Sequence, residues 1–110
     1  MIRHIVLVRY RPEVTETEIA RIHADLECIR ALLPGMGPFR AGRSESPEML
    51  ERGYMHGFTV DFEDWAALAA YQEHAEHRRV GDAIVAGAIG GVDGILVFDL
   101  PVDGPVETAS

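Results

Sequence analysis

The chain has 110 residues, of which 47% are hydrophobic and 25% charged, and its formal net charge is −8 at pH 7. This length and composition are typical of one soluble globular domain that buries roughly two-thirds of its unfolded surface. No basic cluster exceeds the pair Arg78-Arg79, and an acidic chain is repelled by anionic lipid, so we expect neither a nucleic-acid nor a membrane partner.

A strand is predicted over residues 2–10, because the segment IRHIVLVRY is rich in β-branched residues. Alternation places His4 and Val8 on one face of this strand and Ile5 and Leu7 on the other. Both faces are largely apolar, which indicates helices on one side and a second layer, such as a second subunit, on the other. Arginines interrupt the apolar run, which argues against a signal peptide and favours a cytoplasmic location.

The first helix is predicted to begin at a capping box formed by Thr15 and Glu18. Apolar residues follow at helical spacing, among them Ile22, and Pro34-Gly35 ends the helix. Cys28 on this helix is the chain's single cysteine, so no intramolecular disulfide can form. We interpret Cys28 as a small buried hydrophobe.

Two further strands and a second helix are predicted in the remaining chain. A short strand around residues 39–44 precedes a clear one over residues 53–62, where His56, Phe58 and Val60 share a face. Asp64 is expected to cap a helix that starts at Trp65 and continues through the YQEH motif. Glycine at position 81 is expected to interrupt this helix, and a weaker helical segment leads into a last strand over residues 94–100.

This element order predicts an α+β, ferredoxin-like split βαβ fold with a four-stranded antiparallel sheet. We expect one domain over residues 1–100, followed by a mobile tail over residues 101–110. The sheet face that carries Ile5, Leu7 and Met55 is too apolar for water, and it gains either the Ile95/Val97 or the Leu96/Phe98 set from the last strand. Pairing two such faces in a homodimer would bury it.

Histidine and tyrosine are concentrated on three of these elements. His4 and His56 have the same parity on strands that are neighbours in a split βαβ sheet, so their imidazoles could meet under the helices. Tyr71, His74 and His77 fall within an arc of roughly 120° if the helix continues that far, and Gly81 could then fold His77 back over the sheet. Histidine suits proton transfer near neutral pH and tyrosine can donate to an oxyanion, so these residue types suit enolate chemistry.

Four segments carry a resemblance to a known family. RHIVLVRYRPEVTE, GYMHGFTVDF, YQEHAEH with the following RRVGD, and ILVFDL resemble the stress-responsive dimeric α/β-barrel (Dabb) family over about the first hundred residues. The resemblance implies a dimeric α/β barrel of two facing sheets. It extends to a plant polyketide cyclase of this family, which needs no cofactor; by that similarity His77 would be the catalytic base and Tyr71 its helper. His4 and His56 would lie in the same pocket, while we interpret His74 as structural.

Three functions are open at this point. The first is a cofactor-free cyclase, lyase or isomerase that acts on a small carbonyl compound, with Phe58, Val60 and Ile22 lining the pocket. The second is a stress-response or ligand-binding dimer without turnover. The third is a metal site on converging histidines, although no H-x-x-x-H or H-E-x-x-H pair is present and we expect no metal or other cofactor. The proline usual after the first histidine of the helix motif is Ala75 here, and the first helix offers smaller, more polar lining residues, so we expect a different substrate.

Overall fold

A four-stranded antiparallel sheet lies at the centre of the computed structural model, which describes residues 1–107. The strands are β1 (Ile2–Val8), β2 (Met36–Arg43), β3 (His56–Phe62) and β4 (Ile95–Pro101), in the order β2-β3-β1-β4. The helices are α1 (Glu16–Cys28), α2 (Trp65–Glu73) and α3 (Ala75–Gly87), with 3₁₀ turns at Ile29–Leu32 and Gly91–Gly94. This arrangement confirms the predicted α+β, ferredoxin-like split βαβ fold.

The helix starts follow the predicted caps. The Thr15 hydroxyl accepts a hydrogen bond from the Glu18 amide at 3.1 Å, and the Asp64 carboxylate accepts one from the Ala67 amide at 2.8 Å. Each cap satisfies an amide that the first turn of a helix leaves without a partner. The prediction for Cys28 is wrong, because this side chain is exposed at the end of α1.

The predicted helix interruption at Gly81 is also wrong. The break lies at His74, whose backbone is extended (φ −64°, ψ 137°), and α3 then continues through Gly81 to Gly87. His74 ends one helix and caps the next, since its Nδ1 accepts a hydrogen bond from the Glu76 amide at 3.1 Å. Tyr71 and His77 therefore belong to different helices.

The two faces of the sheet have different surroundings. One face packs against the helices and carries the buried core, including Val8, Val60 and Phe62. On the other face, β4 places Phe98 opposite Ile5 and Leu96 opposite Leu7. The register thus selects the Leu96/Phe98 set for this face, on which Phe98 is 61% exposed and Leu96 48% exposed.

Residues after β4 contact the rest of the chain as far as Glu107. The Val102 amide donates to the Met1 carbonyl at 2.9 Å, and the Arg30 guanidinium donates to the Glu107 carbonyl at 3.2 Å. The domain boundary at residue 100 and the mobility of the tail stay predictions, and residues 108–110 of that tail lie outside the described residues. Among residues 1–107, no helix has the length and apolar character needed to span a membrane.

Candidate functional site between α3 and the sheet

His4 is held in place by a carboxylate from the neighbouring strand. The ladder between β1 and β4 sets His4 opposite Asp99, and the His4 Nδ1 lies 2.5 Å from the Asp99 Oδ1. His4 is 4% exposed, so this contact satisfies a polar ring that burial would otherwise penalise. Because the carboxylate accepts the Nδ1–H of His4, Nε2 is the ring nitrogen left to act on a ligand.

His77 reaches the same region from the first turn of α3. Its Nδ1 donates to the Gln72 carbonyl at 3.2 Å, which leaves Nε2 as the basic nitrogen. Burial lowers the pKa of His77, with smaller lowering contributions from His4 and His74, while the hydrogen bond to Gln72 opposes them. The neutral imidazole, which is the form that accepts a proton, is therefore favoured near neutral pH.

Tyr71 lies beneath these two imidazoles. Its ring centroid is 4.3 Å from that of His77 and 6.0 Å from that of His4. The side chain is fully buried, and within residues 1–107 its hydroxyl makes no hydrogen bond to a protein group. Burial raises the pKa of Tyr71, so the hydroxyl keeps its proton and can act only as a neutral donor or acceptor.

A cleft of about 330 Å³ opens between α3 and the β1 and β4 strands. His4 and His77 both line it, and Phe58 forms part of its wall. Aliphatic side chains from both layers supply most of the remaining surface: Val6, Ile84, Val85, Ile95 and Val97. Gln72, Arg78 and Asp82 add the polar groups. An apolar cleft with a few convergent polar groups is typical of small-molecule sites.

His56 does not join this group, although it lies on the same face of the sheet. In the ladder between β1 and β3, His4 is opposite Val60 and His56 is opposite Val8, so the two histidines lie at different ends. The sequence left open whether the imidazoles of His4 and His56 meet, and in the structure they do not. The His56 Nε2 donates instead to the Glu16 carboxylate, at 2.9 and 3.0 Å.

Two of the other predicted pocket residues do not line the cleft. Val60 is fully buried in the core and Ile22 packs against that core, and neither lines the cleft. In the described part of the chain, no three His, Cys, Asp or Glu side chains are grouped as a metal site would require. The sequence reasoning missed the other polar residues that line the cleft, and it also missed the partner of His4, Asp99. Its signal was a lone carboxylate within the apolar run ILVFDL.

The fold is that of a small ferredoxin-like α+β domain, in which a cleft lined by two histidines lies between the sheet and the helices. A family model described as the stress responsive A/B barrel domain, Dabb, matches residues 2–102, and the chain belongs to this family.

Three comparisons place the chain among its relatives. A stress-response A/B barrel domain-containing protein of Arabidopsis thaliana is 28% identical over 101 residues, which cover 91% of this chain and 85% of the relative. The crystal structure of a dimeric ferredoxin-like protein of unknown function from Jannaschia is 38% identical with a TM-score of 0.86, covering 92% of this chain and 98% of that one. Hydroxynitrile lyase from Passiflora edulis has a TM-score of 0.78 at 18% identity, covering 96% of each chain, and this likeness shows the fold alone.

Proposed function

We propose that the cleft binds a small carbonyl compound and that His77 removes a proton from the carbon next to the carbonyl, without a cofactor. The observation that supports this most is the presence of two imidazoles on one mostly apolar cleft, each with Nδ1 engaged by a protein acceptor. Both Nε2 atoms are then the nitrogens that a ligand would meet. Apolar walls limit water and strengthen the interactions of a developing charge.

The proposed step divides the work among three side chains. The C–H bond breaks, its proton passes to the His77 Nε2, and its electron pair forms the enolate. His4, when protonated and paired with the Asp99 carboxylate, presents Nε2–H to the enolate oxygen. Tyr71 does not line the cleft, so its hydroxyl would act as a second donor only where the ligand reaches between the two imidazole rings.

Ring closure or isomerisation would follow from the same enolate. In a cyclase, the enolate carbon forms a bond to a second carbonyl of the same ligand, and His77 returns its proton to the alkoxide that results. In an isomerase, His77 returns the proton to a different carbon. One base that first takes and then gives the proton is sufficient for both reactions.

The second candidate function is a stress-response dimer that binds a ligand without turnover. The description of the family as stress responsive favours it, and it uses the same cleft. Under either function we propose a homodimer in which the outer faces of two sheets, the faces without helices, pack together. Several related structures are described as dimeric, and Phe98 and Leu96 are exposed on this face. The metal hypothesis has no supporting cluster of ligands in residues 1–107.

Deuterium exchange into a methyl ketone separates these functions. The protein is incubated with heptanone in deuterated buffer, and NMR follows loss of the protons next to the carbonyl as well as binding at the His77 ring. We expect exchange above background, with a loss of roughly 100-fold or more in His77→Gln and no loss in the control His56→Gln. Binding without exchange would favour the non-catalytic dimer, and absence of binding would reject the cleft as a ligand site.

A further inference from the structure

Phe58 lies between two pairs of histidines on the helix-covered face of the sheet, with His4 and His77 on one side and His23 and His56 on the other. On one side its ring lines the cleft that holds His4 and His77. On the other side it contacts the rings of Phe39 and His23, with centroid separations of 5.3 and 6.0 Å. Phe58 is only 5% exposed, so it is almost fully buried between them.

The group behind Phe58 has polar atoms that the proposed reaction does not use. His56 and His23 lie there, and burial together with the charge of His56 lowers the pKa of His23. The Tyr10 ring lies 5.6 Å from that of His56, and burial raises the pKa of Tyr10 to about 12. Within residues 1–107 the Tyr10 hydroxyl is buried without a hydrogen-bond partner.

Phe58 has little freedom to move aside for a ligand. Its ring is stacked on Phe39 at an interplanar angle of 27°, and it meets His23 nearly edge-on at 66°. Such pairs add favourable contacts beyond burial, and a rotation into either neighbour would disrupt close packing. The cleft therefore has a fixed wall on this side, and polar atoms lie beyond the wall.

We infer that Phe58 closes the inner end of the cleft, sets the greatest length of ligand that the site accepts, and separates the ligand from the second imidazole pair. This inference rests on the proposed function, in that the cleft must bind a ligand. It assigns specificity to one ring: a smaller residue at position 58 would extend the cleft toward His23 and His56 by the volume of the ring removed, and longer ligands would then fit.

The test uses straight-chain methyl ketones from butanone to undecanone, titrated while NMR follows the His77 and His23 rings separately. For the parent protein we expect affinity to rise with chain length to a limit and then to fall roughly tenfold for each further methylene. Phe58→Leu and Phe58→Val should move that limit to longer ketones, and only in these variants should a long ketone perturb the His23 ring. Using two variants guards against the failure of one to fold.

The control is Ile29→Val, which removes a buried methyl group from the core but changes no residue that lines the cleft and leaves the Phe39 ring stacked on Phe58. It should keep the parent's length limit. An unchanged limit in folded Phe58 variants, or a His23 response in the parent protein, would overturn the inference while the cleft still bound the short ketones. No response of His77 to any ketone in parent and variants would overturn the proposed function, and the inference with it.

Discussion

Tyr71 and His77 are in contact, yet burial affects them in different ways. Burial keeps the Tyr71 hydroxyl protonated and leaves it without a protein partner, while the same burial favours the neutral form of His77. Paired environments that separate a proton donor from a proton acceptor are common in acid/base sites. At the scale of single residues, this contrast between neighbouring rings adds to the support that the two imidazoles on one cleft give to the proposed chemistry.

Sequence pattern identified three side chains of this site and missed the carboxylate that holds His4. His4, Tyr71 and His77 stood out because polar rings interrupt apolar strands or recur at helical spacing. Asp99 did not, because its relation to His4 depends on the register of β4 on β1. Alternation within β4 left two apolar sets open, and backbone pairing was needed to choose between them.

Replacing Tyr71 with phenylalanine should stabilise the protein and impair its proposed chemistry. The substitution removes a buried hydroxyl without a protein partner and keeps the ring, so we expect the free energy of unfolding to rise by about 1 kcal/mol. Urea unfolding measures this change, and ketone deuterium exchange should become slower in the same variant.

Tyr10→Phe is the matched control for this prediction, since the Tyr10 hydroxyl is also buried without a partner but its ring lies beside His56 and not beside His77. It should raise stability by a similar amount and leave exchange unchanged. A lower stability of Tyr71→Phe would show that its hydroxyl makes a structural hydrogen bond and would contradict the prediction.

The lowered pKa of His77 predicts a pH dependence of both exchange and stability. The neutral ring is the base, so exchange should increase as pH rises through the His77 pKa, with a midpoint below the ordinary value of about 6.5. The folded pKa is below the unfolded one, so the stability contribution is present above about pH 6.5 and is lost as pH falls through the folded value.

NMR titration of the His77 ring and urea unfolding over the same pH range measure these two effects. His77→Gln should remove part of the acid-induced loss of stability, and the remainder should include His23, whose pKa burial also lowers. A His77 midpoint at or above 6.5 would contradict the prediction.

The break between α2 and α3 is the element that brings the site together. In a continuous helix, Tyr71 and His77 would be separated by six residues along one axis. The extended backbone at His74 changes the direction of the chain, so that the His77 ring in α3 contacts the Tyr71 ring. Sequence reasoning expected the break at Gly81 because glycine is a poor helix former. It missed the break at His74 because histidine is an unusual N-cap residue. It wrongly placed a break at Gly81 because the sequence does not show whether the packing around a glycine lets the helix continue.

Loss of the His74 cap should weaken the start of α3. In His74→Ala the Glu76 amide loses its side-chain acceptor, so we expect a loss of about 0.5–2 kcal/mol in the free energy of unfolding. His74→Asn supplies another acceptor suited to a cap and should retain most of the parent's stability. If urea unfolding gives equal stabilities for the two variants, the cap has no energetic role.

Gly81→Ala should have the opposite effect on α3. Glycine inside a helix costs roughly 0.5–1 kcal/mol relative to alanine, and an added Cβ at position 81 meets no atom within 4 Å. We therefore expect a higher free energy of unfolding in the same assay. Gly87→Ala is the comparison, because its Cβ would lie 3.4 Å from the Tyr10 ring at the end of the helix and should bring a smaller gain. A destabilised Gly81→Ala would indicate that this position needs glycine for packing.

At the scale of the whole molecule, the outer sheet face, which is the face without helices, carries exposed apolar side chains. It combines Leu7 on β1 with three residues of the edge strand β4, each more than a third exposed in the single chain: Leu96, Phe98 and Leu100. One end is polar, where Arg3 forms a bidentate contact with the buried Asp61 at 2.8 and 3.2 Å. Contiguous apolar surface with a polar border is typical of a protein interface. Alternation in β1 predicted this layer from the sequence, and the β4 register completes it.

A charge on the apolar part of this face should separate the proposed homodimer. Phe98→Glu would bury a carboxylate against the apolar face of the partner, which costs far more than the contact contributes, so we expect a monomer where the parent is a dimer. Light scattering after size-exclusion chromatography measures the mass, and circular dichroism checks that the variant is folded.

Val92→Glu is the control for this prediction. It places the same charge on a side chain that is 70% exposed away from the strands, and it should remain dimeric. A higher protein concentration favours the folded dimer over unfolded monomers. The parent's melting temperature should therefore rise with protein concentration, and that of Phe98→Glu should not. A folded Phe98→Glu variant with the mass of a dimer would show that the outer sheet face is not the interface.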